Sequence, residues 1–197
     1  MKIPRVITSI LLVLIYLGIM NMLAGMYFAD VNNVKSEYLL NKGRAQEALD
    51  YANQAISQNP MEPSYHRQRA KVRIVQAFGE NETGLKDTYR DLALEDLNQA
   101  YQLNPINLAT LRNNLPLYFY LISEDVNKDT TTVIDEEFAK VVKQYFSYIK
   151  DYTPNDVGVL VLVAKYEKRL WTDDYRETLG KIKLLRGDLL EWHPNLR

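Results

Sequence analysis

Hydrophobic positions follow two different patterns along this chain. From Val6 to Ala29 no residue carries a charge, and most are Ile, Leu, Val, Met or Phe. Such a run has no polar face, and about 20 helical residues suffice to cross a hydrocarbon core of about 30 Å. Beyond Asp30 apolar residues return at helical spacing instead. Each stretch closes on a proline: Asn59-Pro60, Asn104-Pro105, Thr153-Pro154-Asn155 and His193-Pro194. Proline lacks the donor that a continuing helix needs, and it forces the preceding residue into an extended conformation. The pattern predicts successive units of two antiparallel helices, the second ending at the proline.

The first unit opens with a helix from about Asp30 to Asn41 that continues the apolar helix directly, and Gly43 fits the turn after it. A second unit starts near Pro63, with a polar loop expected over Gly79–Gly84. Arg69 and Arg73 stand there at positions where apolar residues are usual. The third unit offers Leu111, Leu115 and Tyr118 on its first helix and Val142, Phe146 and Ile149 on its second. Pro116 should kink that first helix. In the fourth, Val157–Ala164 is strand-like by composition because β-branched residues dominate. It occupies the place of a first helix, and a lone strand would have no partner, so a helix is expected. A last helix over Tyr175–Trp192 would carry Leu179, Ile182, Leu185, Leu189 and Trp192 on one face.

Lys2 and Arg5 precede the apolar run, Asp30 follows it, and the next basic residue is Lys35. The positive-inside bias therefore places residues 1–5 in the cytoplasm, 6–29 across the membrane and 30–197 outside. The apolar core exceeds the ~7–15 residues of a signal peptide, and Tyr27 and Met22 spoil cleavage after Ala29 or Ala24. An uncleaved single-pass anchor is the expectation. Within it Asn21 is costly in lipid, and Gly18 and Gly25 permit close approach, which makes these three candidates for packing against another membrane helix.

The segment Gly43-Arg-Ala-Gln-Glu-Ala48-Leu-Asp-Tyr-Ala-Asn-Gln-Ala55-Ile-Ser-Gln-Asn59-Pro60 resembles the second half of a tetratricopeptide (TPR) repeat. That motif uses small residues where helices cross and a proline where the unit ends. Ala93, Leu97, Ala100 and Pro105 repeat the spacing. The resemblance covers most of residues 30–197, most strongly in the first unit, and implies an all-α solenoid of about four helix pairs. It further implies a concave face lined by the first helix of each unit. Asn33, Glu37, Arg67, Lys71 and Arg112 fall on that lining, where three basic residues could hold an acidic segment. The tract Leu103–Arg112 with Tyr152–Asp156 is also similar to the repeat tails of bacterial O-antigen ligase-like membrane proteins, although the many membrane helices of those polymerases are missing.

Composition narrows the chemistry. Apolar residues make up 47% and charged residues 25%, values of an ordinary globular chain. Net charge is −1, and no run of Lys or Arg offers a footprint for nucleic acid. Cysteine is absent, which excludes disulfides, thiolate catalysis and Cys-type zinc sites. The loop Asp125–Glu136 has oxygen ligands at EF-hand positions one, three, five and twelve, but Thr130 replaces the required glycine. A polar loop between helices is the better reading. His66 and His193 lack a second ligand at i+3 or i+4, so a surface or helix-end role fits them rather than metal. No nucleophile elbow or phosphate loop occurs. The expectation is a non-enzymatic, cofactor-free scaffold for protein partners, bacterial and set in the cell envelope. The alternative is an accessory subunit of an envelope glycan polymerase or ligase complex. Because no polar capping helix follows Trp192, a partner or self-association is expected to cover the last helix pair.

Overall fold

A computed structural model describes residues 5–123 and 136–196. Among these residues every regular element is helical, with no strand. In chain order the helices are α1 (Arg5–Asn41), α2 (Ala45–Gln58), α3 (Pro63–Gly79), α4 (Thr83–Leu103) and α5 (Leu108–Ile122). They continue with α6 (Glu136–Tyr152), α7 (Val157–Leu170), α8 (Thr172–Arg186), the short α9 (Leu189–Trp192) and a 3-10 turn at Pro194–Leu196. Among the described residues α1 alone is long and apolar enough to cross a membrane. The loop considered for calcium lies outside the described residues except at Glu136.

Local chemistry explains the helix ends. At the end of α1, Gly43 adopts φ 75°, a left-handed conformation that glycine reaches without strain. The Arg44 amide then donates to the Leu39 carbonyl and the Gly43 amide to that of Leu40, at 3.0 and 2.9 Å. That is a Schellman cap. Asn59, Asn104 and His193, each before a proline, leave the helical region, with φ of −146°, −151° and −125° and ψ of 85°, 72° and 66°. Helices α5 and α7 start under side-chain caps: Asn107 accepts from the Thr110 amide and Asp156 from the Val159 amide, both at 3.0 Å. The Asp156 cap and the packing of Val159, Leu160, Val163 and Ala164 outweigh the strand propensity of Val157–Ala164, which is helical as expected.

Two expectations are corrected. The polar loop is only residues 80–82. Glu80 accepts the amides of Asn81 and Glu82, closing a tight turn, and Gly79 and Gly84 are absorbed into the flanking helices. The last helix is not continuous to Trp192 either. The ladder is interrupted after Arg186, whose guanidinium pairs with Asp188 at 2.8 Å. Gly187 and Asp188 keep helical φ/ψ, and α9 resumes through tighter bonds from the Leu190 and Glu191 amides to the Gly187 and Asp188 carbonyls. Leu190 is thereby turned inward, while Trp192 is 79% exposed. Helix α5 runs on past Pro116, whose missing amide leaves the Arg112 carbonyl without its helical donor.

Helix α1 packs along α2, α3 along α4 and α7 along α8, while α2 meets α3, α4 meets α5 and α6 meets α7. The alternate helices α1, α3, α5 and α7 also touch in succession. Alanines make the close crossings: Ala29, Ala48, Ala52, Ala55, Ala70, Ala93 and Ala100 are fully buried. The largest core joins α3–α7 around Leu111, Leu115, Phe119, Phe146 and Val163. Tyrosines of α6 hold α5 and the turn before it, Tyr145 donating to the Leu111 carbonyl of α5 at 2.8 Å and Tyr152 to that of Ile106 in the turn at 2.9 Å. The abundant tyrosine is thus used largely inside the molecule.

The C-terminal residues cover the last helix pair. Leu190 and Leu196 are buried against Leu160, Ala164, Tyr175 and Ile182. The Tyr175 hydroxyl donates to the Leu196 carbonyl at 2.7 Å. Part of that end is thus covered by the chain itself, while Leu184 and Trp192 stay exposed there. Leu196→Ala should lower the stability of the detergent-solubilised protein by about 2 kcal/mol, read as a shift of its denaturation midpoint.

Candidate binding groove

Arg69 and Arg73, the two misfits of the sequence pattern, converge on a single carboxylate. Asp96 of α4 is 2% exposed and accepts from Arg69 at 2.6 Å and from Arg73 at 2.7 Å. Arg69 reaches on to Asn53 of α2 at 3.0 Å, so one charge cluster ties α2, α3 and α4 together. His66 donates from Nε2 to the Pro60 carbonyl at 2.9 Å and sets Nδ1 3.8 Å from Asp96. Burial alone would raise the carboxyl pKa, but the Arg69 hydrogen bonds and the two guanidinium charges hold it below its usual range, while His66 Nδ1 lies beyond hydrogen-bond reach. A second bridge of this kind runs from Lys150 of α6 to buried Glu167 of α7 at 2.7 Å and Thr178 of α8 at 3.3 Å. These ion clusters join helices across the fold.

The five residues expected to line a concave face are split by the fold. Glu37 and Lys71 pair with each other at 3.5 Å. Arg67 is half-buried, and desolvation lowers its pKa against the pull of Glu62 and Glu37. Asn33 is partly buried on the side of α1 that faces the domain, its Oδ1 shielded from solvent. These four form one surface over α1 and α3, where only Lys71 has a carboxylate partner among the four. Arg112 is exposed and stands apart, lining a groove of about 1200 Å³ between α5, α7 and the C-terminal residues.

That groove also holds Lys165, Lys168, Arg169, Trp192 and His193, and its described lining contains no carboxylate. The Arg169 guanidinium lies 4.7 Å from the Phe119 ring centre, a cation–π contact that fixes it against the core. Lys168 donates to the Asn195 carbonyl at 2.6 Å, anchoring the far wall. Among the described residues neither Arg112 nor Lys165 forms an ion pair. Gly158 brings the α7 backbone close, since a Cβ there would lie 3.8 Å from Arg112 and 3.2 Å from the Asp156 carboxylate. The arrangement is a half-open cationic trough with an aromatic lip, suited to a carboxylate-bearing ligand.

Sequence reasoning reached Arg112 but missed Lys165, Lys168, Arg169 and Trp192. The three basic residues on α7 carried no signal in the sequence, and Trp192 was placed on one face of the last helix. Only the break after α8 and the fold-back of the last residues build the second wall. Among the described residues no group of three or more His, Asp or Glu side chains gathers to hold a metal.

Of the membrane-packing candidates, Gly18 has open space where a Cβ would project. Asn21 is exposed. Gly25 lies 3.8 Å, measured to a built Cβ, from the Gln58 carbonyl of α2. Its neighbour Ala29 is fully buried with Ala55 and Tyr65, so the packed domain already reaches back to that point.

Neither the protein-family models nor the curated proteins contain a match to this chain.

Proposed function

We propose that this chain is a membrane-anchored, TPR-like scaffold whose cationic groove grips an acidic segment of another envelope protein. The observation that carries the reading is the groove itself: Arg112 and Lys165 project from α5 and α7 beside Trp192, and no described carboxylate lines it. Three further features support it. Paired helices with buried alanines at their crossings, and first helices that touch one after another, are what a solenoid of about four pairs requires. Ile7–Phe28 is an exposed apolar helix that merges without a linker into the packed domain. Cleavage at Ala29 would cut inside a buried helix contact, which favours an uncleaved anchor.

In this reading Lys2 and Arg5 keep the N-terminus in the cytoplasm, and the groove stands outside, in an orientation restricted by the rigid α1. Crosslinking pull-down from native membranes tests it. Arg112→Glu with Lys165→Glu should weaken capture of the partner at least about tenfold, whereas Arg67→Glu with Lys71→Glu should leave capture near wild type. Capture should also fall as ionic strength rises. The reverse order of the two double variants would place the partner on the α1–α3 surface instead.

A further inference from the structure

The face of α1 opposite its own domain carries an apolar stripe that continues beyond the membrane. Gly25, Ala29, Ser36 and Leu39 turn toward α2 and α3. On the other side Tyr27, Val31, Val34 and Tyr38 recur at steps of four, three and four, and are 65%, 44%, 65% and 58% exposed. The same spacing runs back along the helix through Met20 and Leu17 to Ile10.

Within the bilayer every face of α1 is apolar, so the stripe carries no information there. The informative part lies past Phe28. At 1.5 Å per residue, Ile7–Phe28 already spans about 33 Å, a full hydrocarbon core. Val31, Val34 and Tyr38 therefore stand in water, on a face where an unpartnered helix would carry polar residues. Steps of three and four define the a and d positions of a heptad, the seam of a left-handed coiled coil.

The flanking charges select the occupant. With Val31 and Tyr38 at a and Val34 at d, Asp30 and Glu37 fall at g, and Lys35 and Lys42 at e. In a parallel pair a g residue faces the e residue five positions further on in the other helix. That juxtaposes Asp30 with Lys35 and Glu37 with Lys42, acid against base at both steps. All four side chains are exposed. Within the chain Asp30 accepts from Tyr65, Glu37 lies 3.5 Å from Lys71, and Lys35 and Lys42 lie over the Tyr51 and Tyr38 rings, so the second copy would compete with these contacts. Because the domain lies on the opposite side of α1, two copies related by a two-fold axis along the seam would carry their domains outward.

We infer that the chain forms a parallel homodimer along α1, through the membrane and about 15 Å beyond it to Tyr38. Asn21 sits at an e position beside the seam, while Gly18 and Gly25 lie at b, toward the side of α2. The dimer would set two cationic grooves on opposite flanks of one anchor, but its formation does not depend on what those grooves bind.

Engineered crosslinking in native membranes tests this with the full chain, which contains no natural cysteine. Val34→Cys should yield a disulfide-linked dimer under mild oxidation, and Ser57→Cys, exposed on α2, should not. Adding Lys42→Glu to Val34→Cys should reduce the dimer band severalfold, and adding Glu37→Lys as well should restore it. Equal dimer from both cysteine positions, crosslinking of Val34→Cys to a different protein only, or an indifferent charge swap would overturn the proposal. So would a monomer mass for the unmodified chain in lipid nanodiscs.

Discussion

Replacing Asp96 with alanine is expected to cost about 3–5 kcal/mol of stability, enough to leave the domain only marginally folded. The carboxylate is buried and accepts from two guanidinium groups at once. Its loss strands Arg69 and Arg73 beside each other, with side chains only 22% and 14% exposed and no compensating charge. Asp96→Asn should be milder but still clearly destabilising, because shape and some acceptor capacity survive while the charge does not. Chemical denaturation of the detergent-solubilised protein measures both. If Asp96→Ala shifts stability by less than about 1 kcal/mol, the value of an exposed pair, the cluster is not a structural tie. The pH dependence has a definite sign. A carboxyl whose folded pKa lies below its unfolded value contributes stability that is fully present above the unfolded pKa. That stability is lost as pH falls through the depressed folded pKa. The wild type should therefore lose stability on acidification below the ordinary carboxylate range, and Asp96→Asn should show a shallower acid limb.

Phe119→Ala is expected to cost about 3–5 kcal/mol as well, with an additional effect on binding. The Phe119 ring is fully buried in the main core and lies 4.8 Å from the Tyr166 ring. The Arg169 guanidinium also lies 4.7 Å from this ring, so the same side chain that fills the core also holds one cation of the groove wall. The cavity should lower the denaturation midpoint, and the freed Arg169 should weaken capture of the acidic partner at temperatures where the variant is still folded. Phe119→Leu separates the two effects: it keeps most of the volume but removes the π face. That variant should stay within about 1.5 kcal/mol of wild type while still losing affinity. Full affinity in Phe119→Leu would show that Arg169 is held by the wall without the ring.

Much of the fold was legible because its signals are local. Proline positions end helices through the missing donor and the constraint on the residue before, so Pro60, Pro105 and Pro194 marked real ends. Gly43 marked a real turn because only a left-handed residue closes that cap. The core positions Leu111, Leu115, Tyr118, Val142, Phe146 and Ile149 followed from helical periodicity, and all are buried. The exposed run from Ile7 to Phe28 needed only the absence of charge.

What the chain's sequence could not decide was which charged residues meet. Arg69 and Arg73 looked like errors in an apolar pattern because Asp96 lies more than twenty residues away, and its burial makes sense only once α3 lies along α4. Lys71 and Arg112 looked equivalent on a helix face, yet packing hands Lys71 to Glu37 and leaves Arg112 facing a groove. That groove exists because the chain breaks after Arg186 and folds Leu190 and Leu196 back over α7. Local sequence determines where helices start, stop and turn a face inward, since each of those effects acts within a turn or two. The pairing of charges and the making of a cavity depend on groups far apart in the chain, and only tertiary packing brings them together.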